Sequence, residues 1–199
     1  MRKGLPSLMI ATVLFALTSP ASAASVYQID PVHTSITFSV RHMVISNVKG
    51  QFTKFKGTIT LDENDLTQSK VNVTIDAASI NTGNEKRDAD LRSENFLDVK
   101  KYPTITFKSK TIEKTGENTY RLIGDLTLHG VTREVQIPVT FHGIINDPWG
   151  NRRLGAHAAV TINRQDFGIS WSKTLEGGGL VVGNDVHIDI NLEAVKLKP

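Results

Sequence analysis

Six histidines, His33, His42, His129, His142, His157 and His187, are the side chains best suited to metal or acid–base chemistry. None stands in a His-x-His or His-Glu-x-x-His spacing, which would set two imidazoles on one face for a metal ion. His142, His157 and His187 fall on the outward parity of the strands predicted around them, so at most a weak adventitious site spans neighbouring strands. The chain has no cysteine, which excludes disulfides, thiolate metal sites and thiol nucleophiles. Gly168-Ile169-Ser170-Trp171-Ser172 lacks the final glycine of a nucleophile elbow. There is no phosphate loop and no dinucleotide fingerprint. The carboxylates are scattered through turns and outer faces, with no acid–base pair. No cofactor, no metal and no catalytic residue is expected.

What must position any site is a series of strands. Apolar residues alternate with polar ones at period two, the mark of half-buried strands. Ile36, Phe38 and Val40 begin the series. Phe55, Gly57, Ile59 and Leu61 follow, then Val71, Val73, Ile75 and Ala77, then Ile105 and Phe107. Tyr120 to Leu128, Val135 to Ile145, Ala156 to Ile162 and Val186 to Leu192 repeat the pattern. Eight long strands with one apolar face each, joined mostly by short turns, predict an all-β fold: an eight-stranded antiparallel up-and-down barrel, closed so that no edge is left. Phe52 is out of phase with Phe55, which predicts a bulge in the second strand. Pro138 predicts a bulge or a locally unpaired stretch.

Two regions break the rhythm, residues 81–103 and 163–185. In the first, Asn81-Thr82-Gly83-Asn84 is turn-like and offers a helix N-cap, Glu85 to Arg92 reads as helical, Ser93 can cap a second turn, and Tyr102-Pro103 ends the segment. It is too polar for a core helix, yet Leu91, Phe96 and Leu97 need cover. It is expected as a lid over one end of the barrel. In the second, Gly177-Gly178-Gly179 reads as a loop and a candidate gate. An eight-stranded barrel is either filled by side chains or holds one narrow ligand. Small inward residues (Gly57, Gly124, Gly143, Ala77, Ala156, Ala158) suggest room, whereas bulky partners such as Phe38, Phe52, Phe55 and Phe107 suggest a solid core; the pattern leaves both open.

Residues 1–23 read as a secretory signal peptide, with Arg2 and Lys3, an apolar run from Leu8 to Leu17, and cleavage expected after Ala23. The run is short of the roughly 20 residues of a membrane span. No cysteine follows it, so no lipid anchor is expected. The other 176 residues suit a single domain over residues 24–199. The formal charge of +3 falls to +1 without Arg2 and Lys3, which gives no reason to expect nucleic acid as a partner.

Five stretches, in order, carry a resemblance: YQIDPVHTSITFSVRHM at 27–43, VKGQFTKFKGTI at 48–59, SINTGNEKRDADLRSENFLDVKKYPTITFKS at 79–109, GDLTLHGVTREV at 124–135 and NRQDFGI at 163–169. Together they resemble the YceI-like family of exported bacterial proteins. The resemblance implies a lipocalin-like barrel in the periplasm that holds a long apolar molecule, a polyisoprenoid or another long-chain lipid. A tail of about 16 carbons would bring roughly 13 kcal/mol of gross burial, at about 0.8 kcal/mol per CH₂.

The lumen is then expected to be lined by Phe38, Val40, Phe52, Phe55 and Ile59, by Val73, Ile75, Ile105 and Phe107, and by Leu126, Leu128, Val160 and Ile162. Leu91 and Phe96 would contribute from the lid, and Phe167 and Trp171 from the second interruption. His42, on the inward parity, is a candidate for a polar head group or a rim histidine satisfied by backbone. Arg87 with Asp88, and Arg164 with Asp166, either hold a head group or brace the two interruptions. Beyond the ligand, a second copy of the chain is an open option as partner. Two alternatives stand beside a carrier: a filled barrel acting as a stress-related interaction module, and an enzyme acting on a lipid through His42 and a nearby carboxylate.

Overall fold

Residues 24–198 are described by the computed structural model; the expected leader lies outside the described residues. They form strands β1 (Ser25–Ile29), β2 (Ser35–His42), β3 (Ser46–Phe52), β4 (Phe55–Leu61), β5 (Lys70–Asp76) and β6 (Ile80–Asn81). Helix α1 (Glu85–Arg92) follows, then β7 (Thr104–Lys114), β8 (Thr119–Leu128), β9 (Val131–Asn146), β10 (Arg152–Asn163) and β11 (Val182–Lys196).

Pairing reduces these eleven strands to the eight staves of a closed antiparallel barrel. Both β1 and β2 lie along β11, with Ile29 opposite Ala194 and Ser35 opposite Asn191, so they are one stave interrupted at residues 30–34. β4 pairs with β1 and β3 with β2, a second stave broken at Thr53-Lys54. That break is where the phase of Phe52 and Phe55 changes. β5 and β6 continue along β4 and β3 as the third stave. β7 to β11 complete the ring. The third stave is interrupted by the 3-10 turn Ala77–Ser79, so Ala77, expected on a strand, is buried in that turn.

The register of β9 against β10 shifts between Gly155 and Ala156, where β9 holds one residue more. Such a bulge reverses the facing of every residue beyond it. Ile144 therefore packs inward, and Ile145, expected inside, is exposed.

Two seams open toward the same end of the barrel. β9 and β10 separate beyond Val139–Ala158, leaving residues 131–138 paired with β8 alone. Pro138, which has no N–H to donate, lies where β9 leaves β10. On the other side, β7 and β5 separate beyond Thr104–Asp76, and β6 pairs with β3 alone. The two interruptions of the strand rhythm close this end. Helix α1 is capped by Asn84, whose side chain accepts from the Arg87 N–H at 3.0 Å, and begins with Glu85 and Asp88 where the helix dipole favours them. The turns after it bury Phe96 and Leu97. From the other side, the 3-10 turn Arg164–Phe167 is tied to β9 through Arg133 Nε and the Asp166 carbonyl at 3.1 Å. The two caps meet at Phe96 and Trp171, whose rings lie 5.3 Å apart.

Candidate ligand-binding cavity

The inward side chains form two separate cores. At the capped end, Ile80, Phe96, Leu97, Ile105, Leu128, Ile162, Phe167 and Ile169 are buried together. At the far end, Tyr27, Ile59, Leu61, Leu154 and Ala194 form the second. Between them, inward residues such as Val73, Phe107, Leu126, Val139, Ala158 and Ile190 are only half-buried. Closed packing would bury them, so their exposure is to an internal space. That space is a cavity of about 510 Å³, within the roughly 300–1,000 Å³ usual for ligand pockets. Its wall is almost wholly apolar.

Of the residues expected to line it, Phe38, Val40, Phe52, Ile59, Val73 and Ile75 do so, as do Leu91, Phe96, Ile105 and Phe107. Leu126, Leu128, Val160, Ile162 and Trp171 complete the set. Phe55 and Phe167 are corrections: neither is among the lining residues. Phe55 directly follows the Thr53-Lys54 break, and Phe167 is consumed by the packing of the cap, with 2% of its surface exposed. Of the small inward residues, Ala156 and Ala158 border the space. Gly57 and Gly124 serve another purpose: a Cβ on Gly57 would fall 2.6 Å from the Asn72 carbonyl oxygen, and one on Gly124 would strike that of Lys108. They let adjacent backbones approach.

The charged side chains of the wall lie at the capped end. Arg41, Arg87, Asp90 and Arg164 border the cavity there, with His42. Asp88 and Asp166 do not. The Asp88 carboxylate, 5% exposed, accepts from the backbone N–H and the hydroxyl of Thr82, at 2.9 and 2.5 Å, and so fixes the start of the lid. Asp166 is exposed, and its carbonyl is the group in use. Arg164 is buried and donates to the carbonyls of Ile169, Val182 and Gly183 and to Asn184 Oδ1 at 2.6–3.2 Å. Burial pushes its guanidinium below the usual value. With its donors so engaged, Arg164 braces the second cap. Arg87 is exposed, and donates to Thr82 through Nε at 2.8 Å and Nη2 at 3.0 Å.

The far end is closed by charge, which the strand pattern did not signal because most of the partners are distant in sequence. Glu63 accepts from Tyr27, Arg152 and Lys196, at 3.0, 2.5 and 3.3 Å. The Arg152 guanidinium beside it holds its carboxyl at about 2. Arg153 binds Asp30 at 2.9 Å, Asp147 at 2.7 Å and Glu193 at 2.5 Å. His33, with help from Arg153, lowers Asp30 to about 2, and Arg153 holds Asp147 below the usual carboxylate range. Asp30, His33 and Glu193 bring donor atoms within 4.8 Å of one another; the cation against the two carboxylates is Arg153. Among the described residues every buried side-chain nitrogen and oxygen has a hydrogen-bond partner.

Several wall residues were not expected from the sequence. Ile29 and Leu66 line the far end beside Leu61, and Val181 and Val182 the capped end. Tyr27 and Ile29 carry the alternation of β1, but over a strand of five residues, too short a run to separate from a loop.

Comparison with known proteins agrees with this architecture. The profile of the YceI-like domain matches residues 27–194. A UPF0312 protein of Pseudomonas savastanoi is 36% identical over 198 residues, covering 100% of both chains. The YCEI protein of Campylobacter jejuni superposes with a TM-score of 0.69 at 31% identity, over 79% of this chain and 90% of the other. A polyisoprenoid binding domain from Saccharophagus degradans superposes with a TM-score of 0.67 at 16% identity, over 86% of this chain and 98% of its own, and so shares the fold.

Proposed function

Because the chain belongs to the YceI-like family, we propose that it is a periplasmic carrier that holds one long apolar chain, a polyisoprenoid or fatty lipid, inside the barrel. The observation that carries this reading is the hollow between the two cores, walled by aliphatic and aromatic groups and with its charged groups at the capped end. Such a wall offers no directional bond to a tail. It removes the tail from water, and about 0.8 kcal/mol per CH₂ makes length the main source of affinity, reduced by association and ordering costs. Arg41, His42 and Arg87 are the groups placed to meet a polar head. The name of the Saccharophagus domain supports the isoprenoid class, and the reading of residues 1–23 as a secretory leader supports the periplasm.

Native mass spectrometry of freshly purified protein tests the reading. A co-purifying hydrophobic mass is expected, with heat protection when polyprenyl or fatty chains are added back. Repeated absence of both would overturn it in favour of a ligand-free interaction module. Chemical change in the bound lipid over time would instead favour the enzymatic alternative. Cell fractionation tests the compartment: recovery with the cytoplasm would remove the periplasmic assignment.

A further inference from the structure

The turn that joins β2 to β3 is unlike the other tight hairpin of the barrel. Between β8 and β9, left-handed φ falls on His129 and Gly130, and glycine is the residue that takes it freely. Between β2 and β3 it falls on Met43 at 48° and Val44 at 65°. Two such residues in succession call for Asn-Gly, and a β-branched residue there is strained. Little packing offsets the strain, because the tip stands largely in the open: Met43 is 42% exposed, Val44 55% and Ile45 83%. Strain held in place with so little packing is a pointer to function.

The position of the tip says which function. His42, the residue before the turn, borders the cavity. The Met43 N–H donates to the carbonyl of Val181 at 2.9 Å, and Val181 also borders the cavity. The Gly-rich loop packs on the same tip, since a Cβ on Gly179 would lie 2.6 Å from Val44 Cγ2. The three apolar side chains thus project beside the end where the charged wall residues lie. Arg41 and Lys49 flank them, and residues 41–49 contain no acid.

Resting on the carrier reading, we propose that the β2–β3 tip docks the capped end onto an anionic lipid bilayer. Met43, Val44 and Ile45 enter the acyl boundary, and Arg41 and Lys49 meet the acidic head groups. A tail leaving the bilayer then passes directly into the barrel without crossing water.

The test uses the full chain after leader removal, with vesicles of one part phosphatidylglycerol to three parts phosphatidylcholine. The variant Met43→Asn/Val44→Gly/Ile45→Ser puts the favoured residues at the left-handed positions and a polar one at the apex. It is expected to melt no lower than the parent. It is expected to bind vesicles about tenfold more weakly, and to take up a dansyl-labelled undecanoic acid from water with unchanged affinity. Equal vesicle binding by parent and variant overturns the proposal, as does a parent that ignores vesicles while taking up the probe. A parent that takes up no probe instead removes the carrier reading on which the proposal rests. Should the triple variant fold poorly, Ile45→Ser alone, outside the strained pair, carries the same comparison. Parent binding that is indifferent to replacing phosphatidylglycerol by phosphatidylcholine overturns the role of Arg41 and Lys49.

Discussion

Ala158 is the position from which the hollow is best interrogated. It lies on β10 midway between Leu154 of the far core and Ile162 of the capped core, about 13 Å from each along the strand. It faces the cavity. In Ala158→Phe a phenyl ring, which occupies roughly 150 Å³ when it fills a hole of its own size, takes nearly a third of the 510 Å³. Because the ring enters empty space, the ligand-free protein should lose no more than about 1 kcal/mol and could gain. Binding should fall with chain length. If the ring denies a 16-carbon tail the inner half of the cavity, about eight CH₂ groups lose burial, a ceiling of about 6 kcal/mol. Even a third of that, about 2 kcal/mol, is roughly 30-fold in affinity. An eight-carbon acid held in the outer half should bind as it does to the parent. Displacement titrations across a fatty-acid series, paired with calorimetric melting of ligand-free protein, measure both quantities. Equal losses for short and long chains, or a drop in melting temperature of several degrees, would refute the idea that the centre of the barrel is void.

Acid should loosen the far end. Asp30 and Glu63 are lowered from 3.8 and 4.5 to about 2; a depressed carboxyl stabilises the fold above its unfolded value and ceases to as pH falls through its folded value. Stability should therefore decline between about pH 5 and pH 2, and Arg152→Met should flatten the Glu63 part of that slope in urea titrations at stepped pH. Arg164→Met removes donors to three carbonyls and leaves that of Ile169 buried without one, so a loss of about 2 kcal/mol or more is expected in denaturant melts, with faster amide exchange confined to residues 164–184. Gly124→Ala should cost about 2 kcal/mol or more by driving a methyl into the Phe107 ring and the Ser109 backbone; an unchanged melt would show that β7 and β8 can separate where their register shifts between Ser109 and Thr111. Phe96→Ala should cost up to about 4 kcal/mol and speed ligand release in stopped-flow displacement, because it removes one side of the contact between the caps.

The staves were legible because each keeps one apolar face over at least part of its length. The breaks were legible only where an aromatic changed phase, as Phe52 and Phe55 do, or where a proline denied a ladder bond, as Pro138 does. The helical detour was legible to its ends, Glu85 and Arg92, because Asn84 before it and Ser93 after it are capping residues. Ile145 was misplaced because a bulge leaves no mark in apolar alternation beyond Gly143. The small residues misled in part, since composition does not distinguish a glycine facing a void from one pressed against a neighbouring carbonyl. Arg164 and Asp88 were legible as members of the two interruptions, but their partners are backbone carbonyls and a threonine, which no spacing rule announces. The ion pairs of Arg153 join residues up to 123 positions apart, a closure that only the folded ring brings about.

The two seams give the barrel a direction. Widening the end that holds them disturbs side-chain packing and few rungs between strands, whereas at the opposite rim paired charges would have to be torn from one another. On the proposed carrier reading, a guest that goes in tail foremost at this end backs out head foremost, and whatever receives it has to stand where the donor stood.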